Sequence, residues 1–189
     1  MRFKNLYLVF ILLIFYGCNQ SKSSVIIDAS NIFLKLDNGV LFYKDEPFNG
    51  NLVTYYSDKN LKSQIQYKNG RKEGYEKHWF LDNRLSIERY YTNGLKTSIH
   101  KAWWEDGTQK FEYHFNDKGN YNGKVKEWYK TGQVFRDFNY VDGKEIGSQR
   151  LWKIDGTIKA NYKVVNEERF GLIGLKKCYT VTVGSDEVK

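Results

Sequence analysis

Three histidines and one cysteine are the side chains of this sequence best suited to catalysis or metal binding. His78, His100 and His114 fall at three different depths within the glycine-punctuated segments of the chain. No second histidine or cysteine stands near any of them at zinc-ligand spacing. Cys178 lacks the accompanying histidine and asparagine pattern of a cysteine hydrolase. We therefore predict structural side chains, no catalytic residue, no metal and no cofactor, with a metal or redox role for Cys178 as the alternative.

Paired carboxylates at Glu105 and Asp106 are the next candidates, because glycosidases use two carboxyl groups. Neighbouring residues of a strand point to opposite faces, so these two carboxyls do not converge on one bond. Asp106 also has counterparts at matching depth in Asp58, Asp82 and Asp155, each inside a cluster of turn-forming residues. The pattern predicts that these aspartates shape turns.

The elements that position these residues are set by a repeat whose units begin at glycine in five cases of six. Successive unit starts are separated by 24, 24, 25, 24 and 24 residues. A period of this length held over five units is typical of a repeat array. The starts are Gly50, Gly74, Ser98, Gly123, Gly147 and Gly171.

Two aromatic columns run through the repeat at fixed depths. The first aromatic column, five residues after each start, contains Tyr55, Trp79, Trp103, Trp128 and Trp152. The second aromatic column, seventeen residues after each start, contains Tyr67, Tyr91, Phe115 and Tyr140, with Val164 in the last unit. We predict that both columns form the core of the repeat and stack from unit to unit.

The fold class follows from the segments between the columns. Residues 109–115, "QKFEYHF", alternate apolar and polar side chains as a half-buried strand does, and residues 85–91 behave similarly. Clusters of Asp, Asn and Gly separate such segments and favour tight turns. Each unit therefore reads strand, turn, strand, turn. We predict an all-β fold, an elongated meander of stacked antiparallel β-hairpins built from 24-residue repeats.

The same reasoning divides the chain into five parts. Residues 1–17 are predicted to be a signal peptide, and residues 18–30 a tether. An N-terminal half-repeat cap at 31–49 precedes five hairpin repeats at 50–170. Residues 171–189 would supply a closing strand and a tail.

The predicted signal peptide has Arg2 and Lys4 before an apolar run that is too short to span a membrane. The run ends in Gly17-Cys18, which resembles the lipobox of bacterial lipoproteins, so Cys18 is the predicted lipidation site. A plain secretory signal with an incidental cysteine is the alternative. Lipidation would leave Cys178 without a disulfide partner in the chain.

The repeat, in the form "EWYKTGQVFRDFNYVDGKEIG", resembles the MORN (membrane occupation and recognition nexus) repeat. In its longer form it is similar to the YwqK-type repeat family, whose members are often described as antitoxins. The resemblance covers residues 39–175 and departs from the pattern at Ser98, Lys59 and Asn83. It implies a hairpin-repeat fold and an antitoxin-like interaction role.

A third set of aromatic side chains directly follows the first column and is expected to face the other way. If exposed, it would be a binding strip for sugars, peptides or lipid headgroups; cross-strand packing is the alternative. The set comprises Tyr56, Phe80, Trp104 and Tyr129.

Charge and export together narrow the class of partner. The formal net charge is +8, and removal of Arg2 and Lys4 would leave +6. Export argues against nucleic acid despite this basic balance. We predict a non-enzymatic lipoprotein of the bacterial cell envelope, anchored in the outer membrane if the cell has one, that serves as a scaffold for an envelope protein. The alternative is a module that binds glycan or anionic lipid headgroups.

Overall fold

The computed structural model describes residues 24–174, in which strands and turns are present and no helix occurs. The all-β prediction is confirmed. The strands are β1 Ile26–Asp28, β2 Leu34–Asp37, β3 Val40–Tyr43, β4 Glu46–Pro47, β5 Gly50–Tyr55, β6 Leu61–Lys68, β7 Arg71–Trp79, β8 Leu85–Thr92, β9 Leu95–Trp103, β10 Gln109–Phe115, β11 Tyr121–Trp128, β12 Val134–Val141, β13 Lys144–Glu145, β14 Gly147–Trp152, β15 Ile158–Val165 and β16 Glu168–Leu172.

One large sheet contains thirteen of the strands found in residues 24–174. From β5 to β16 each strand pairs antiparallel with the next, apart from the short β13, which pairs only with β12. At the other end β1 lies parallel to β5. The predicted meander of stacked hairpins is therefore present, and each unit supplies two neighbouring strands.

The left-handed backbone at the unit starts explains their glycines. Ser98, the one exception, also has a positive φ of 62°. Side chains with a Cβ adopt this conformation at a cost, whereas glycine does not. At Gly123 a Cβ would also lie 3.2 Å from the Cβ of His114. The repeat therefore preserves a backbone shape, which Ser98 adopts under strain.

Ser98→Gly is expected to stabilise the protein. Removing the left-handed strain, less the extra chain entropy of glycine, should raise the free energy of unfolding by about 0.5–1 kcal/mol. Gly147→Ser is the matched reverse change, because φ there is +60° and a Cβ added to Gly147 would meet nothing within 4 Å. Urea unfolding should show opposite shifts of similar size. Equal stability of Ser98→Gly and the parent would contradict the strain argument.

Two-residue turns join most of the units and also connect the strands of the N-terminal β2–β4 segment. In each turn both residues have positive φ, which is the geometry of a type I′ hairpin and matches the twist of the strands. Asparagine followed by glycine is the commonest pair. The turns are Asn38-Gly39, Lys44-Asp45, Asn69-Gly70, Asn93-Gly94, Asp142-Gly143 and Asn166-Glu167.

The single 25-residue spacing has a local cause. Between β10 and β11 the two-residue turn is replaced by a longer one, in which Asn116 N donates to Asn120 O at 3.0 Å and Gly119 N donates to Asn116 O at 3.0 Å. The additional residue is accommodated there, so the strands on either side keep the pairing of the other units.

A row of alternating charges, here called the charged row, crosses one face of the sheet. Each member lies directly opposite the next on the neighbouring strand, so that basic and acidic side chains alternate across seven strands. Lys77 pairs with Glu88 at 3.1 Å and Lys101 with Glu112 at 3.5 Å. The row is Lys77, Glu88, Lys101, Glu112, Lys126, Asp137 and Arg150.

The opposite face, here called the inner face, holds most of the buried residues. Adjacent residues of a strand point to opposite sides, so residues flanking the charged row belong to this face. Four of its nearly fully buried side chains lie two residues after the unit starts and are here called the inner row. They are Glu76 (3% exposed), His100 (2%), Val125 (0%) and Gln149 (0%), with half-buried Leu52 in the first unit.

The strands β2, β3 and β4 form a separate three-stranded sheet that covers the first unit. Phe48 is only 3% exposed, with its ring centroid 6.2 Å from that of Tyr43 and 5.9 Å from that of Tyr67. Gly70 N donates to Phe48 O at 2.9 Å, and Leu41 N donates to Gly70 O at 2.8 Å. This segment occupies the place of the predicted N-terminal cap.

Both ends of the described chain differ from the predicted divisions. Ile26–Asp28, within the predicted tether, form β1 because residues 26–28 pair with the backbone of β5. At the other end β16 crosses the predicted boundary at residue 171. The predictions for the signal peptide, Cys18 and Cys178 fall outside residues 24–174, as does most of the segment 171–189 predicted to supply a closing strand and a tail.

Candidate functional site

The three histidines lie in different environments and form no common site. His100 is in the inner row, and His78 lies on the inner face two residues beyond Glu76. His114 lies on the face of the charged row, where its Nε2 donates to Glu112 at 2.8 Å. Within residues 24–174 there is no group of three or more His, Cys, Asp or Glu side chains arranged to hold a metal ion.

Glu76 is the centre of the most buried charge cluster described. Its carboxylate accepts hydrogen bonds from His78 Nε2 at 2.8 Å, from Arg89 Nη1 at 3.2 Å and from Lys72 Nζ. The Glu76 side chain is 4% exposed, whereas those of its three partners are 30–32% exposed. A buried acid is thus held by basic groups that reach solvent.

This arrangement keeps Glu76 ionised. Burial alone would raise the pKa of the Glu76 carboxyl, but hydrogen bonds from His78 and Lys72 and the charges of Lys72 and Arg89 lower it far below its usual value. Burial and the nearby Glu76 charge raise the pKa of Tyr91 to about 12. A carboxylate that is ionised at neutral pH and bonded to three basic groups is a structural group and a poor general acid or base there.

His100 lies between two aromatic rings of the second column. The imidazole centroid is 5.4 Å from that of Tyr91 and 4.6 Å from that of Phe115, and its Nε2 donates to Tyr90 O at 2.8 Å. Burial lowers the pKa of His100, and the charges of Arg89 and Lys96 act in the same direction against the hydrogen bond to Tyr90. His100 therefore packs as a neutral ring.

The Gln149 side chain makes hydrogen bonds to the backbone where the pairing of β12 with β14 is interrupted. Between β12 and β14 the pairing is interrupted by the short β13. The fully buried Gln149 side chain binds backbone groups at this interruption. Its Nε2 donates to Asn139 O at 2.9 Å and to Ile146 O at 2.8 Å, and its Oε1 accepts from Asn139 N at 3.0 Å. Both amide hydrogens and one lone pair of the amide oxygen are therefore used locally.

Sequence reasoning missed the inner row. Its members are chemically unlike one another, so no shared residue type marks the position. The one available signal is their common position, two residues after each unit start. There they pair with residues of the second strand of the unit, in which apolar and polar side chains alternate most clearly.

The aspartates predicted to shape turns do so in the structure. The Oδ1 atom of each accepts a hydrogen bond from the backbone N–H two residues later, at 2.9–3.0 Å. Hydrogen bonds to Arg84, Thr108 and Thr157 lower the pKa of Asp82, Asp106 and Asp155, respectively. Glu105 is exposed, and its backbone oxygen accepts a bond from the Arg84 side chain.

The first aromatic column lies at strand ends and is less enclosed than predicted. Tyr55 is 48% exposed, and Trp79, Trp103, Trp128 and Trp152 are half-buried. In the second column Tyr91 (9%) and Val164 (8%) are buried, while Tyr67, Phe115 and Tyr140 are half-buried. The large side chains that are fully buried belong to the inner row instead, since these residues lie at strand centres and have neighbouring strands on both sides.

The predicted binding strip is tied to the first column by hydrogen bonds between units. Tyr56 Oη donates to Trp79 O at 2.8 Å, Trp104 Nε1 to Trp128 O at 3.3 Å, and Tyr129 Oη to Trp152 O at 3.1 Å. Each bond joins a half-buried side chain to the backbone of the following unit. The packing alternative therefore has direct structural support, and binding by this set stays a prediction.

Members of both sets also line one groove, here called the Trp104 groove, so the expected separation onto opposite faces does not hold there. Its walls include Trp104, Trp128, Tyr129 and Phe135, and its volume is about 450 Å³. The reason is that β11 ends at Trp128, and Tyr129 already belongs to a turn closed by its N–H bond to Gln133 O. Strict alternation applies only inside the strand.

Phe80→Tyr is expected to add a hydrogen bond between units at the one member of the predicted binding strip that has no side-chain donor. Tyrosine at the corresponding positions 56 and 129 donates to the backbone oxygen of the next first-column residue. A hydroxyl at residue 80 directed at Trp103 O should therefore raise the free energy of unfolding by about 0.5–1.5 kcal/mol. The reverse changes Tyr56→Phe and Tyr129→Phe should lower it by a similar amount in urea unfolding. A neutral result for all three would refute the role of these bonds.

No helix within residues 24–174 has the length and apolar character needed to cross a membrane. No protein-family model matches the chain, and no curated protein matches it either.

Proposed function

We propose that this protein is a non-enzymatic, membrane-tethered scaffold that binds a protein partner in the bacterial cell envelope. The observation that carries the proposal is the charged row, which extends over seven neighbouring strands on an open face of the sheet. A repeat array supplies a long binding surface to which each unit adds a similar increment.

The hydrogen bonds that the buried polar groups make within the sheet support a binding role over a catalytic one. Glu76, His100 and Gln149 are each bonded to side chains or backbone within the sheet. In the charged row, by contrast, side chains of both signs reach solvent; Lys101 and Glu112 are 38% and 26% exposed. An alternating pattern of this kind favours a partner with a complementary alternation and suppresses others.

The membrane tether is proposed from the Gly17-Cys18 sequence. Its test is metabolic labelling with palmitate, which should label the parent protein and spare Cys18→Ser. An antitoxin-like role, in which the partner is a toxin, is a narrower form of the same proposal and is implied by the family resemblance.

The scaffold proposal is tested by inverting charges without breaking pairs. In Lys101→Glu with Glu112→Lys the two side chains still attract each other, but the pattern presented to a partner is reversed at that point. Cross-linking in the native envelope should capture a defined protein with the parent chain and lose it with the inverted pair. Equal capture by both would exclude the charged row as the interface, and no reproducible protein with either would overturn the scaffold.

A further inference from the structure

We propose that the Trp104 groove binds an acidic sugar unit of an envelope glycan, independently of the protein partner proposed for the charged row. The groove lies between the third and fourth units at the turn end of the sheet. Its walls are mainly aromatic, and two lysines, Lys110 and Lys130, stand among its lining residues.

The aromatic walls fit a sugar ring. The faces of aromatic rings carry partial negative charge and attract the polarised C–H groups of a pyranose. A volume of about 450 Å³ lies within the range of small-molecule sites. Tyr129 packs edge-on against Phe135, with ring centroids 5.1 Å apart. Sugar-sized ligands with weakly polarised ring faces are the class that such walls favour.

The walls are also held in place before any ligand arrives. Trp104 donates to Trp128 O, and Tyr129 donates to Trp152 O. Rings fixed by backbone bonds lose little freedom on binding, which raises affinity for a given contact area. The hydrogen bonds that staple the units therefore also preorganise the groove.

The charges around the groove favour a sugar that carries an acidic group. Glu127, the carboxylate at the groove, is already neutralised by Arg136 at 2.9 Å and accepts the Tyr113 hydroxyl at 2.8 Å. Lys110 and Lys130 form no salt bridge with any described residue. Lys110 Nζ is held 4.3 Å from the centroid of the Trp104 ring. The groove thus offers two ammonium groups beside apolar walls, which complements a carboxylate or phosphate on a sugar.

The corresponding groove lined by the first three units provides a contrast within the same chain. It is lined by Tyr56 and Phe80 together with the acidic Asp82 and Glu105. Its one basic side chain, Arg84, is bound to Asp82 at 2.6 Å. That groove should repel an acidic sugar, so the two grooves differ in charge although their aromatic positions correspond.

The test is calorimetric titration of the full chain with trigalacturonate, with maltotriose as the neutral counterpart. We expect the parent protein to bind trigalacturonate at least tenfold more tightly than maltotriose. Lys110→Met with Lys130→Met should lose at least tenfold in affinity for trigalacturonate. Lys62→Met with Lys118→Met removes the same total charge elsewhere and should change nothing; Lys62 stands at the same depth in its unit as Lys110 and lies over the Tyr56 ring.

Three outcomes would overturn the proposal. The first is no heat of binding with trigalacturonate at millimolar concentration. The second is equal loss in the two double-lysine variants, which would show a general charge effect. The third is binding to phosphatidylglycerol vesicles that the groove lysines control while trigalacturonate does not bind, which would assign the groove to lipid. None of these results bears on capture of a protein by the charged row.

Discussion

Gln149→Leu is expected to destabilise the protein more than any other single change of similar volume on the inner face. Leucine leaves Asn139 N and Ile146 O without their side-chain partner at a site that is 0% exposed, whereas Asn139 O keeps its bond from Ile146 N. Each buried group left unpaired costs about 1–3 kcal/mol, partly relieved where water can enter. Urea unfolding followed by tryptophan fluorescence should show a large drop in midpoint.

Gln66→Leu is the matched control for this change. Gln66 is also a glutamine at a bulge, but it is half-buried and its Oε1 accepts a single backbone bond, from Tyr75 N at 3.0 Å. We expect a loss of about 1 kcal/mol there. If the two variants were equally stable, bridging by Gln149 would not be what holds the β12–β14 bulge.

Glu76→Gln is expected to be the second most damaging change. It removes the charge that compensates Lys72 and Arg89 and weakens the bond to His78. Breaking a fully buried pair costs about 3–5 kcal/mol, and we expect about 2 kcal/mol here because the basic partners reach solvent. Glu88→Gln, in the more exposed pair with Lys77, should cost no more than about 1 kcal/mol.

The Glu76 effect should depend on pH in a defined direction. The pKa of Glu76 is lower in the folded protein than in the unfolded chain. Its contribution to the free energy of unfolding is therefore complete above the ordinary glutamate pKa and is lost as the pH falls below about 4.5. The stabilities of parent and Glu76→Gln should therefore converge on acidification from pH 7 to pH 3. A constant difference over that range would contradict the ionised, bonded state of Glu76.

The sequence was sufficient to predict the parts of the fold that depend on local backbone shape. Unit starts such as Gly123 require left-handed backbone, turns such as Asn93-Gly94 require positive φ at two residues, and Asp106 binds its own turn. Each requirement restricts the residue type at its position, so it recurs visibly in most units.

The core was not predictable in the same way. Burial in the inner row depends on side chains from the neighbouring strands, and a position there accepts Val125, Gln149 or His100 once its local partners are satisfied. The tryptophans of the first column recur at a fixed position and were therefore predicted to be core residues, but they are only half-buried. Trp103 and Trp128 end their strands, and at a strand end a large side chain is only partly covered.

The Asn116–Asn120 turn has a consequence for how such a chain can change in length. One additional residue there leaves β10 and β11 paired as in the other units, so length variation in this loop is uncoupled from the sheet. Whole units are exchangeable by the same logic. Removing residues 74–97 would place Ser98 after Glu73 and bring Lys101 opposite Gln64, where Lys77 now lies. Genes of this kind can therefore grow or shrink by unequal recombination, one hairpin at a time, while each product keeps a continuous sheet.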